Sequence, residues 1–172
     1  MRIPALAAVV LAGLAAASAH AHPHPTSAAQ APATIQPAKA MHPSTHTRTH
    51  TVQSRYSFQE TLSRLQTTVQ AKGMKVFALV DHQAAAKEVG LQMQPATVIV
   101  FGTPKAGTPL MVKDPAFALQ LPLRVLVTEV NGHVQVVFND THALIDGSQI
   151  AYADVANTLA NAEKLIRKTV SE

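Results

Sequence analysis

The sequence predicts an α+β domain, an antiparallel-rich sheet of about five strands with two long helices on one face. Three observations lead there. Asn131-Gly132 stands between two apolar runs, the pattern of a two-residue type I′ hairpin. The segments after Ser57 and after Ala151 carry apolar residues at helical spacing. No series of full crossover helices alternates with the strands, which disfavours a doubly wound parallel sheet.

The first segment is an address. Met1-Arg2 opens positively, Ile3 to Ala17 is apolar, and Ala17-Ser18-Ala19 and Ala19-His20-Ala21 offer small residues at cleavage positions. That is the layout of a secretory signal peptide over 1–19, too short an apolar run for the ~20 residues that span a bilayer. The expected location is periplasmic or secreted, with no membrane attachment after cleavage. Residues 20–44 follow, with Pro at 23, 25, 32, 37 and 43 and little large apolar content. Such a stretch buries too little surface to offset its ordering entropy, so it reads as a disordered His/Pro/Ala-rich tail. The globular domain is expected over 45–172.

Within the domain, Thr47 to Tyr56 reads as a first strand. Ser57-Phe58-Gln59-Glu60 has the form of a capping box. The helix behind it places Phe58, Leu62, Leu65 and Val69 on one face and ends at Gly73. Met74 to Val80 reads as a second strand. Asp81 begins a short helix that Gly90 stops. Val98-Ile99-Val100-Phe101 is the continuous apolar run of a central strand. Gly102 to Gly107 reads as a loop, and Thr108-Pro109 as an N-cap followed by Pro at the first helical position. Leu123 to Val130 and His133 to Phe138 flank the hairpin turn. Ala151 to Thr169 reads as one amphipathic helix with Val155, Leu159, Ala162 and Ile166 as its stripe.

Composition removes several classes of chemistry. With no Cys among 172 residues, disulfides, iron–sulfur clusters, Cys-containing zinc sites and thiol nucleophiles are excluded. A net charge of +4 and 4% aromatic residues give little basis for binding nucleic acid. The ten acidic residues are scattered, without an evident carboxylate pair, and no H-E-x-x-H or G-x-S-x-G occurs.

The stretch from Ser57 to Asp140 resembles family 302 of the domains of unknown function, found in bacteria and archaea. Two motifs carry the resemblance. One is Asp81-His82 followed by Ala85-Ala86-Lys87-Glu88-Val89-Gly90-Leu91. The other is Phe101-Gly102-Thr103-Pro104-Lys105-Ala106-Gly107-Thr108-Pro109-Leu110-Met111. Ser57-Phe58, Leu121-Pro122-Leu123 and Asn139-Asp140 add to them. Thr103 stands where Asn is usual, and Thr141 where Pro is common. The resemblance implies a fold similar to the TATA-box-binding-protein class of helix-on-sheet domains, and a homodimer. It implies no known activity and no known cofactor.

Two places could carry a site. Gly102 to Thr108 has P-loop-like glycine spacing, but Thr108 stands where a P-loop has Lys, so nucleotide binding is rejected. Gly-rich backbone, Lys105, Gly107 and a helix start at Thr108 could still bind an anion; the plainer reading is a tight connection with a solvated Lys. Asp81 is a natural N-cap, and His82 is either an exposed first-turn residue or a proton carrier. Both places follow strands expected to be neighbours, so Asp81, His82, Lys105, Gly107 and Thr108 are expected to share one pocket for a small polar or anionic ligand.

Two alternatives remain: an enzyme using His82 as general acid/base, and a metal-handling protein. For the latter, cleavage after Ala19 would expose His20-Ala21-His22. Its terminal amine, two amides and the His22 imidazole, with His20 adjacent, suit Cu(II) or Ni(II). Cleavage after Ala21 would put Pro23 second and abolish that chelate.

Overall fold

The computed structural model describes residues 48–172. The leader over 1–19, the tail over 20–44 and the chelate of His20 and His22 lie outside the described residues.

Five strands form one antiparallel sheet: β1 (Thr49–Gln53), β2 (Lys75–Asp81), β3 (Ala96–Gly102), β4 (Leu123–Val130) and β5 (His133–Asn139). Their spatial order is β1-β5-β4-β3-β2, so β1 and β2 are the edges. The β4–β5 turn is the expected one, with Asn131 at φ 52° and Gly132 at φ 77°. β1 is shorter than the Thr47 to Tyr56 expectation. Past Gln53 the Ser54 N–H still donates to the Val134 carbonyl at 2.9 Å, while its hydroxyl turns inward to Thr61 Oγ1 at 2.7 Å and accepts from the Tyr56 N–H.

The helices are α1 (Phe58–Ala71), α2 (His82–Glu88), α3 (Pro104–Lys113), α4 (Thr141–Ile145), α5 (Tyr152–Val155) and α6 (Leu159–Ser171), with a 3-10 helix at Pro115–Gln120. Ser57 caps α1 by accepting from the Glu60 N–H, but the reciprocal half of the capping box is replaced: Glu60 accepts from Arg64 at 2.9 Å. Alternation along the strands then decides the core. Ile99, Phe101, Val125, Val127, Val136 and Phe138 point to one face, where Leu62, Leu65 and Val69 of α1 and Ala162, Ile166 and Val170 of α6 cover them. Burying each large side chain contributes about 1.5–3 kcal/mol. A smaller second core gathers Leu110, Phe117, Ile150, Val155 and Leu159, with Leu123 packed against both.

Two helices start elsewhere than the sequence suggests. Gly102 to Gly107 is not a loop: the helix begins at Pro104, with Thr103 as N-cap. Thr103-Pro104 and Thr108-Pro109 are the same signal, and the upstream pair prevails, leaving Pro109 inside the helix without an N–H for the Lys105 carbonyl. The C-terminal helix breaks into α5 and α6 around Asn157 and Thr158, although its stripe of Val155, Leu159, Ala162 and Ile166 stays buried.

Candidate functional site

A cavity of about 540 Å³ lies beside α3. Met74, Phe77, Met111, Leu121, Leu159 and Ala162 give it a mostly apolar lining. Thr103, Lys105, Thr108, Asn157 and Thr158 add polar groups to the lining. Leu159 and Ala162 are buried, whereas Lys105, Thr108 and Asn157 are exposed, so the apolar floor is deep and the polar groups ring its opening. Local sequence explains the shape. Pro104 starts α3 directly after β3, and Gly107 lets the helix pass close to Leu121: a Cβ there would stand 3.2 Å from Leu121 Cδ1. The interruption between α5 and α6 leaves Asn157 and Thr158 to form the opposite side.

The structure brings Lys105, Gly107 and Thr108 together but leaves Asp81 and His82 out of this cavity. The shared pocket expected from the sequence therefore does not form. β2 and β3 are antiparallel, so the end of β2 lies beside the start of β3. Asp81 pairs with Thr97, while Gly102 pairs with Lys75 at the other end. Those two rows are about 17 Å apart at ~3.3 Å per strand residue. Asp81 has a local role, accepting from the Ala84 N–H at 2.9 Å as the cap of α2. It also edges a polar groove beside α1. His82 is exposed in the first turn of α2.

A second cluster escaped the sequence reading. His50 belongs to β1, and two of the scattered carboxylates meet it. His50 Nε2 stands 2.9 Å from Asp140 Oδ2 and 2.9 Å from Glu163 Oε1. Burial opposes the charge on Asp140, but the Ala143 N–H, His50 and the His142 N–H together outweigh it and hold this carboxyl below its ordinary value. His50, Asp140 and Glu163 are the residues among those described that could hold a metal ion. His133 is exposed and bonds Gln53 at 3.1 Å; His142 stacks on Tyr152 at 4.4 Å.

Comparison with known proteins gives three results. The family model described as "Domain of unknown function DUF302" matches residues 50–170. A protein of Brucella suis named fluoride-specific ion channel FluC 1 is 44% identical over 91 residues, covering 52% of this chain and 36% of its own length. Its Brucella abortus counterpart is 44% identical over 91 residues, 52% of this chain and 34% of that protein. The matched stretch is thus about a third of those relatives. The crystal structure of an uncharacterized conserved DUF302 protein from Bacillus stearothermophilus superposes with a TM-score of 0.55 at 19% identity, covering 73% of this chain and 94% of that one. At that identity the likeness is one of fold.

Proposed function

The chain belongs to the DUF302 family, and from that premise we propose that it is an exported binding module for a small amphipathic anion, an acyl carboxylate in chemical class. The supporting observation is the cavity beside α3, with Lys105 at the opening of an apolar floor. An apolar chain would fill the floor, where Met111, Leu121 and Leu159 replace water around it. The carboxylate would stay near the Lys105 ammonium and the positive end of α3. This narrows the expected polar or anionic ligand, because polar groups alone would leave most of the lining unmatched.

The Brucella relatives are named for fluoride. For this chain that name supports only the inclusion of fluoride among the anions tested. No helix among the described residues is long and apolar enough to cross a membrane.

Calorimetric titration of the full chain with octanoate, 1-octanol and fluoride tests the proposal. Octanoate should bind saturably, 1-octanol about tenfold or more weakly, and Lys105→Met should erase that difference. Equal binding of acid and alcohol by the parent removes the role of Lys105. Fluoride binding without octanoate binding overturns the acyl reading.

We also propose that the chain forms a homodimer through β2. This edge strand carries Phe77, Leu79 and Val80 at 44%, 50% and 42% exposure. Unpaired backbone beside exposed apolar side chains is a surface that soluble proteins pair or cover.

A further inference from the structure

We propose that His50, Asp140 and Glu163 form a binding site for one Zn²⁺ ion. The three come from different elements: the edge strand β1, the N-cap of α4 and the outer part of α6. Their donor atoms all lie within 4.8 Å of one another. The two carboxylates converge on one point, the His50 ring nitrogen. Both carboxylates approach the same ring nitrogen at 2.9 Å, and that nitrogen carries at most one hydrogen. The two carboxylate oxygens therefore compete for one ring hydrogen. Arg167 gives partial compensation, at 3.4 Å from Glu163 Oε1.

The remaining oxygens are held from outside. Asp140 Oδ1 accepts from the Ala143 N–H at 3.0 Å. Glu163 Oε2 accepts from the hydroxyl of Thr141, a residue only 3% exposed, at 2.9 Å. Each carboxylate is thus oriented by a second partner and presents its other oxygen to the common point, the way outer partners orient metal ligands. Zinc with N and O ligands at about 2.0–2.2 Å needs ligand atoms about 3.4 Å apart, so the contacts open by about half an ångström. An imidazole in the set favours Zn²⁺ over Mg²⁺ or Ca²⁺. The side chains are 25%, 15% and 20% exposed, which gives an ion access and leaves a fourth position to water.

The His-rich tail is a second place where zinc could bind, so the test separates them. In the full chain with His20, His22, His24, His42 and His46 changed to Ala and metal removed by chelator, calorimetry should find one equivalent of Zn²⁺. Adding His50→Ala or Glu163→Gln should weaken that binding at least about 100-fold, and Thr141→Val about tenfold. Circular dichroism and thermal melting of each variant without metal verify the fold. Should a variant fail to fold, Co²⁺ added to the tail-substituted chain gives an independent readout. Strong visible absorption of a four-coordinate ion, displaced by Zn²⁺, is expected, and its absence contradicts the site. No zinc binding once the tail histidines are gone, or equal binding after His50→Ala in a folded variant, overturns the proposal.

Discussion

Lys113 donates through Nζ to Asp154 Oδ2, joining the last turn of α3 to the first turn of α5. The bridge links two sides of the cavity, since Met111 sits on α3 and Asn157 and Thr158 follow α5. The same carboxylate accepts from the Ala151 N–H at 2.9 Å. Lys113 first, and the Ala151 N–H second, hold the Asp154 carboxyl below its ordinary value against a smaller opposing effect of burial.

A pH dependence follows. Folding lowers this pKa, so the stabilisation is present above the unfolded-chain value of about 3.9 and is lost as pH falls through the lower folded value. Asp154→Asn should therefore be less stable than the parent at pH 7, and the difference should shrink below about pH 4. Urea unfolding at both pH values measures it. A difference that grows on acidification would contradict the assignment.

Asp114 should matter more to stability. It is buried, and its two oxygens accept from the Ala116 N–H at 3.1 Å and the Gln149 N–H at 3.0 Å. One bond caps the 3-10 helix; the other anchors the loop that leads to Ile150 in the second core. Asp114→Ala leaves both donors without this partner and should cost about 2–4 kcal/mol. A fall in Tm on the order of 10 °C is expected by calorimetry. A change under about 1 kcal/mol would mean that water replaces the carboxylate.

Gly107 controls the room in the cavity. Gly107→Val adds side-chain atoms where a Cβ already stands 3.2 Å from Leu121 Cδ1. Octanoate affinity should fall about tenfold or more, while His82→Ala should leave it unchanged. An unaltered affinity in a folded Gly107→Val variant would place the ligand elsewhere.

Light scattering of the full chain should give a dimer at micromolar concentration, and Leu79→Lys should shift it to monomer. Leu79 is half exposed and adds little to the core, so the variant should keep its melting behaviour apart from the loss of association. A monomeric parent contradicts the β2 interface.

The strands and the two main helices were legible because their signals are local. Apolar runs marked Leu123 to Val130 and His133 to Phe138 as strands, and Asn131-Gly132 fixed the turn between them. Capping rules located Ser57 and Asp81. What failed was long-range or ambiguous. Two Thr-Pro pairs competed for one helix start, and local rules rank them equally. The expected union of His82 and Lys105 took neighbouring strands to share an end, which antiparallel neighbours do not. His50 and Asp140 are 90 residues apart in the chain, so nothing near His50 announces its partners. The cavity's wall at Asn157 and Thr158 depends on a helix break that the apolar stripe conceals, since that stripe continues in phase through it.

The most direct test of the ligand site is a residue-resolved amide NMR titration of the full chain with octanoate. Saturable shifts concentrated at 102–111, 121–123 and 157–162 are expected, with Asp81 and His82 unmoved. Shifts centred on Asp81 and His82, or no saturable shifts around Lys105, would contradict it.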